Sequence, residues 1–309
     1  MSAPKICMVG SCMTDLVART PRLPGAGETL FGSSFQVGFG GKGANQAVMA
    51  ARLGAQVSVV VKLGRDSFGE NTLRNFQEQG CDTTYFFWDE TGLSSGVAPI
   101  WVDETTGQNS IIIVPGANSA LSPADVRAAR SAIESAQLVI CQLEIPLETT
   151  LEAFRVAKAA GVMTILNPAP AAELPDELLS LTDILVPNEI EAAMISGLPT
   201  RTIEQAEAAA RALRARGVQT VIVTLGERGS LILSEAGVEH VAAEKVQAVD
   251  STGAGDAFVG TLGYALASGR SLISAVTLAG AVATRSVLKP GTQTSFPYRE
   301  EVEALLSAF

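Results

Sequence analysis

Short apolar, β-branched runs alternate with amphipathic stretches along almost the whole chain. Residues 6–9, 57–61, 138–141, 164–166, 184–186 and 220–224 read as strands. Between them, 45–53, 70–79, 146–160 and 203–216 carry apolar side chains at helical spacing. Ser122-Pro-Ala-Asp125 adds a helix start, with Ser as N-cap, Pro in the first helical position and an acid three residues on. Strands this apolar are buried on both faces. The pattern therefore predicts an α/β fold with a doubly wound, mostly parallel central sheet flanked by helices.

Two stretches break that rhythm. Residues 15–38 hold strand-like pieces at 16–18, 29–31 and 34–37, joined by Pro21, Pro24, Gly25 and Gly27. Residues 96–114 read as strands at 97–102 and 109–114 around the turn Asp103-Glu-Thr-Thr-Gly107. Neither has a helical crossover, so both are expected as antiparallel excursions forming a small β lid over the C-terminal ends of the parallel strands. No Ser/Gly linker, low-complexity tract or repeat divides the chain, and 1–309 is expected to be one α/β domain with that lid.

With 309 residues, 47% hydrophobic and 17% charged, the chain can bury a sizeable core, which excludes global disorder. Lys and Arg number 22 against 32 Asp and Glu, and the net charge of −10 is the wrong sign for a general nucleic-acid or anionic-membrane binder. No apolar run approaches the roughly 18 residues of a membrane span. The strand-like start at 5–9 leaves no room for a secretory leader, so a cytoplasmic protein is expected. Cys7, Cys12, Cys81 and Cys141 form no CxxC and read as reduced structural thiols. His240 is the sole histidine, in an expected exposed strand or hairpin. Zinc motifs of the HExxH type, Ser-His-Asp triads and Cys-His dyads thus have almost no material, and a general base falls to a carboxylate or a lysine.

Two glycine-rich loops carry the candidate chemistry. Gly38-Phe-Gly-Gly-Lys-Gly43 spells GxGxxG, but the first core strand lies about thirty residues earlier than a dinucleotide fold requires. Its lysine, Lys42, suits a hydroxylated or phosphorylated ligand better, and no GxxxxGK[ST] occurs anywhere. The second loop, Val249-Asp-Ser-Thr-Gly-Ala-Gly-Asp-Ala-Phe258, follows an expected strand at 245–249 and opens a helix through about Ala267. Gly253, Ala254 and Gly255 let backbone N–H groups face outward at the helix N-terminus, an anion hole reinforced by the helix dipole. Asp256 beside it would repel a resting anion. It makes sense as the base for a hydroxyl attacking a phosphoryl group held there; capping its own helix is the plainer alternative.

Gly253-Ala-Gly-Asp256 together with Gly40-Gly-Lys-Gly-Ala-Asn-Gln46 resembles the paired motifs of the ribokinase-like sugar kinases. The resemblance runs through Val9-Gly-Ser-Cys-Met-Thr-Asp15, Gly116-Ala-Asn118, Gln142-Leu-Glu-Ile-Pro146, Asn167-Pro-Ala-Pro170, Pro187-Asn-Glu-Ile-Glu191, Thr224-Leu-Gly-Glu-Arg-Gly229 and Gly291-Thr-Gln-Thr-Ser-Phe-Pro297. It implies ATP-dependent phosphorylation of D-ribose at its 5-hydroxyl, with Asp256 as base, and a homodimer clasped through the β lid. Fructose, a keto-sugar acid, adenosine or another nucleoside are alternative acceptors. A non-enzymatic ligand-binding regulator and a Rossmann oxidoreductase are the remote alternatives.

The resemblance also implies site residues. Sugar contacts fall to Met13, Thr14, Asp15, Gly41, Lys42, Gly43, Ala44, Asn45, Glu144 and Asp256, with Met13 standing where members often carry Asn. Asp15 and Glu144 both leave strand ends, at the carboxyl edge where open α/β sheets bind ligands. ATP falls to Asn188, Glu191, Thr224, Leu225, Gly226, Glu227, Arg228, Gly229 and Gly255, with Glu191 organising Mg²⁺ through water. The position often set against adenine is Gly280. K⁺ falls to Asp250, Thr252, Ser286, Lys289, Gly291 and Ser295, several through carbonyls. Without these motifs, Glu191 reads as an exposed helix carboxylate, Glu144 as a solvated residue after a strand and Lys42 as a surface lysine.

Overall fold

The computed structural model describes residues 3–309. Its thirteen strands are β1 (Lys5–Val9), β2 (Met13–Thr20), β3 (Ser34–Gly40), β4 (Gln56–Leu63), β5 (Asp82–Trp88), β6 (Gly96–Asp103), β7 (Asn109–Ile111), β8 (Leu138–Cys141), β9 (Met163–Leu166), β10 (Ile184–Leu185), β11 (Thr220–Thr224), β12 (Ser230–Ser234) and β13 (Gly237–Val241). The helices are α1 (Lys42–Arg52), α2 (Ser67–Glu78), α3 (Pro123–Ala128), α4 (Arg130–Ser135), α5 (Leu147–Ala159), α6 (Asp176–Ser180), α7 (Glu189–Ser196), α8 (Ile203–Ala215), α9 (Ala254–Ala267), α10 (Leu272–Ser286) and α11 (Glu303–Ala308).

Nine strands form one sheet in the order β13-β12-β11-β10-β9-β8-β1-β4-β5, parallel from β11 to β5, with β12 and β13 antiparallel at one end. Alternation along β1 shows why both faces are covered. Ile6 and Met8 join a core with α1, α9 and α10, while Cys7 and Val9 join the opposite core with α4 and α5. The two-sided apolar reading of the strands thus corresponds to helices on both faces. Ser122 and Asp125 form the expected reciprocal cap at the start of α3. All four cysteines are buried and free, and burial pushes the Cys7 thiol up to about 12. Among the described residues no helix is long and apolar enough to cross a membrane.

The four remaining strands form a small sheet in the order β3-β2-β6-β7. β2 and β3 pair antiparallel, as do β6 and β7, but β2 and β6 run parallel over eight residue pairs. The chain between them passes through α1, β4, α2 and β5 of the main layer and re-enters the small sheet from the same side, which sets that direction. Two expected strands are absent. Residues 29–31 are irregular with Phe31 98% exposed, and 245–249 make no ladder. Val249 instead donates its N–H to the Val287 carbonyl (2.8 Å) at the end of α10.

Candidate active site

The site gathers where β1, β8 and the starts of α1 and α9 meet. Gly41 turns the chain from the small sheet into α1 at φ 87°, and a Cβ there would lie 2.7 Å from the Met13 nitrogen. Lys42 is therefore the first helical residue, and its N–H donates to Glu144 Oε2 (2.9 Å). Ser11 Oγ donates to the same oxygen, so Glu144 ties the β1 and β8 loop ends to α1. Burial pushes the Lys42 ammonium pKa down, but the carboxylates of Asp256, Glu144 and Glu191 outweigh it and hold the pKa above the ordinary lysine value. Lys42 is no free surface lysine; it sits among three acids.

Gly253 takes the left-handed conformation (φ 78°) that opens α9 and presents Asp256 in its first turn. Ala254 N–H turns back to the Ser251 carbonyl (3.2 Å), and the helix ladder begins with Ala257 N–H on Gly253 O (2.8 Å). The anion-hole donors are thus narrower than the run of small residues suggests: Ala254 has an internal acceptor, whereas Gly255 and Asp256 precede the ladder. Asp256 is buried and held on both oxygens. Asn45 Nδ2 donates to Oδ2 (2.8 Å) and Gln46 Nε2 to Oδ1 (2.9 Å). Burial raises its pKa, against the pull of Lys42, Asn45 and Gln46. It is not spent on capping α9, whose N-cap Gly253 carries no side-chain hydrogen bond.

Asp15 enters from the small sheet. Met13 and Asp15 lie two apart on β2 and share a face; the Asp15 carboxylate packs over Gly40 and faces Glu144 and Asp256. Burial, then those two acids, lift its pKa to about 6. Thr14 points the other way, into a cleft of about 330 Å³ shared with Val37, Phe39 and α2. The Thr14 side chain thus lies on the face of β2 opposite Met13 and Asp15. Gly43 and Ala44 are buried in α1; Ala44 N–H donates to Ser11 O (2.9 Å) and packs the helix onto the β1 loop.

The expected nucleotide residues other than Gly255, which lies in the first turn of α9, form one corner at the end of β10 and β11. Asn188 and Glu191 cap α7 reciprocally, Glu191 accepting from Asn188 N–H (2.8 Å) and Nδ2 (2.9 Å). Glu191 is buried rather than exposed, because its helix start turns inward toward Lys42. Burial raises its pKa while the Asn188 bonds and Lys42 lower it. Thr224 bridges to Asn188, and Leu225, Gly226, Glu227, Arg228 and Gly229 form the turn that follows. Arg228 pairs with Glu189 of α7 and closes that turn against the helix. Asp250 joins two loops, accepting from Thr252 N–H (2.9 Å) and Gly291 N–H (2.9 Å). Ser286 and Ser295 are buried nearby in sequence, whereas the Lys289 ammonium faces out to Glu301 (2.7 Å). Gly280 lies on α10 with open space where a side chain would project.

Several site residues escaped the sequence reading: Ser11, Gln46, Asn167 and Gln293. Gln46 and Gln293 each hydrogen-bond residues more than a hundred positions away, which only the fold brings together.

A buried carboxylate beside open helix-start N–H groups and a cation, at the carboxyl edge of a parallel sheet, defines a group-transfer enzyme acting on a hydroxyl. Residues 3–299 match the pfkB family of carbohydrate kinases, and the chain belongs to that family; it is a phosphotransferase. It is 44% identical to a mouse (Mus musculus) ribokinase over 98% of this chain and 95% of that protein. It is 42% identical to a Salmonella typhimurium deoxyribokinase over 98% of both. The structure of Arabidopsis thaliana ribokinase complexed with ribose and ATP superposes with a TM-score of 0.91 at 34% identity, over 99% of each chain.

Proposed function

We propose that the protein transfers the γ-phosphoryl group of ATP to the 5-hydroxyl of D-ribose, giving D-ribose 5-phosphate and ADP. The observation that carries this reading is Asp256: buried, aimed by two amides and adjacent to open N–H groups and Lys42. Asp256 accepts the hydroxyl proton as the sugar oxygen bonds to phosphorus and the bond to the β-phosphate oxygen breaks. The first-turn N–H groups of α9 and the Lys42 ammonium stabilise charge on the transferring oxygens. Asp15, Glu144 and the start of α1 orient the sugar, and the corner of Asn188 and 224–229 takes the nucleotide. Mg²⁺, when bound with ATP, neutralises phosphate charge. Among the described residues no cluster of three or more acids, His or Cys could cage it, so Glu191 fits a role through water. A K⁺ site fits the Asp250 corner, where one carboxylate already draws the 250–252 and 291 loops together.

The small sheet serves as lid over a single α/β domain and as the dimer clasp. Phe35 and Val37 share its outer face and are 64% and 56% exposed, an apolar surface that a second copy would cover. Function in the cytoplasm accords with the buried, free thiols.

One observation favours 2-deoxyribose as a second acceptor. Met13 is buried on the site face beside Asp15, its sulfur 3.7 Å from Asn118 Nδ2. A thioether in the sugar wall offers a hydroxyl only a weak acceptor, so an acceptor lacking that hydroxyl loses little there. The Salmonella relative is a deoxyribokinase. ATP-dependent phosphorylation of ribose, 2-deoxyribose, fructose and adenosine, with Mg²⁺ and with K⁺ present or replaced by an inert cation, tests the reading. Turnover on ribose that rises with K⁺, and on deoxyribose to within roughly 100-fold in kcat/KM, is expected. ATP binding without turnover on either pentose overturns it.

A further inference from the structure

Gln46 is fully buried and sits at the branch of a directed amide chain. Its Nε2 donates to Asp256 Oδ1 (2.9 Å) and to Asn167 Oδ1 (3.0 Å), and its Oε1 accepts from Gln142 Nε2 (2.6 Å). The direction of every link follows from one group. A carboxylate only accepts, so Gln46 must turn its amide nitrogen toward Asp256; its oxygen then faces Gln142, which must answer with nitrogen. The unfavourable end of this ordering lands on Gln142. Its Oε1 is buried without a hydrogen-bond partner among the described residues, and its Nε2 makes its other contact with the Met8 sulfur (3.1 Å), a weak acceptor. A buried orphan acceptor at the far link is tolerated because the near link serves the carboxylate. Asn167 is oriented in the same way and passes its own amide to the Val186 carbonyl (2.9 Å), anchoring the branch in the main sheet.

We propose that Gln46 is a positioning residue: by holding Oδ1 while Asn45 holds Oδ2, it fixes the rotation of the Asp256 carboxylate so that a remaining lone pair is aimed at the incoming hydroxyl. This role rests on reading Asp256 as the general base. The charged groups facing that carboxylate are Lys42 and the acids Glu144, Asp15 and Glu191, and none of them reaches Oδ1 with a hydrogen bond. Gln46 alone among the described side chains holds Oδ1.

The test compares single-turnover phosphoryl transfer and sugar binding for Gln46→Met, Gln142→Met and Asp256→Asn, and for Gln46→Met combined with Asp256→Asn. Gln46→Met is expected to lower the transfer rate roughly 100-fold with sugar affinity within a few fold, and to move the acid limb of the pH–rate profile upward because the carboxylate loses a donor. Gln142→Met, one link back, should stay within a few fold of wild type. In the Asp256→Asn background Gln46→Met should cost nothing further, because its effect runs through the carboxylate. If Gln46→Met does not fold, Gln46→Asn, which keeps a buried amide but falls short of Oδ1, carries the same expectations. A folded Gln46 variant with wild-type rate and profile overturns the proposal, as does a loss that adds fully to Asp256→Asn or is matched by Gln142→Met. Near-normal transfer by Asp256→Asn alone would instead overturn the base assignment, whatever Gln46 does.

Discussion

The two halves of the proposed sugar site are built on opposite plans. The half on α1, α9 and the main sheet is saturated at its acids: Asp256 holds two amide donors and Glu144 takes Ser11 and the Lys42 N–H, with the orphaned acceptor displaced to Gln142 Oε1. The half on the small sheet is not. Among the described residues the Asp15 carboxylate accepts no hydrogen bond, and its sheet leaves Phe35 and Val37 bare on the other side. A saturated network is pre-organised and loses nothing when substrate arrives, which suits the group that must react. An unsatisfied carboxyl on a thin sheet suits a group that binds, and gains its partners only from ligand.

The largest effect that would sharpen this contrast concerns assembly. Replacing Phe35 and Val37 with Asp places two charges on the exposed apolar face, and a dimer held there should dissociate at least about 100-fold more readily, since each buried apolar side chain contributes roughly 1.5–3 kcal/mol. Sedimentation should show monomer with the thermal transition of the main sheet retained; an unchanged dimer removes the small sheet from the interface. Next come glycines in the two halves. A Cβ at Gly43 would lie 2.6 Å from the Ser11 nitrogen and 2.8 Å from Gly10 backbone, whereas at Gly38 its nearest neighbour is the Asp15 Cβ at 3.7 Å. Gly43→Ala should destabilise by about 1–3 kcal/mol and Gly38→Ala by much less, read from thermal unfolding. Equal costs would mean the two halves are equally tight.

The third effect is a pH dependence. Asp15 has a folded pKa of about 6 against an ordinary value of 3.8, so the folded chain binds the extra proton between those values. Its contribution to stability is therefore full at low pH and is lost as pH rises through 6. Asp15→Asn should stabilise the ligand-free protein at pH 7–8 by at most about 3 kcal/mol, read as a higher thermal transition, with the gain fading toward pH 4. A gain that persists undiminished at pH 4 contradicts the assignment.

Much of the saturated half could be read in the sequence, because its loops are written in contiguous glycine-rich motifs. Asp256, Lys42 and Gly253 needed only local spacing. Gln46 lies inside the same motif, but its value is a bond to a residue 210 positions away, which local spacing does not record. The small sheet was legible as strands but not as a pairing: β2 and β6 run parallel because of what lies between them, which alternation along either strand does not record. Residues 245–249 misled for a related reason. Lys245, Val246, Gln247 and Ala248 alternate polar and apolar like a strand, yet their neighbourhood offers the end of a helix rather than a strand edge. Without its motif Glu191 reads as a solvated helix acid, yet it is buried, and its charge partner Lys42 lies on a distant helix.

The central claim is that the saturated half reacts while the small-sheet half binds. Measuring ribose affinity by calorimetry alongside single-turnover transfer from ATP, for Asp256→Asn and Asp15→Asn side by side, tests it most directly. Asp256→Asn should keep ribose affinity and lose roughly 10²–10⁴-fold in rate, whereas Asp15→Asn should weaken affinity and keep most of the rate of the bound complex. The opposite split, or the same split for both, would contradict it.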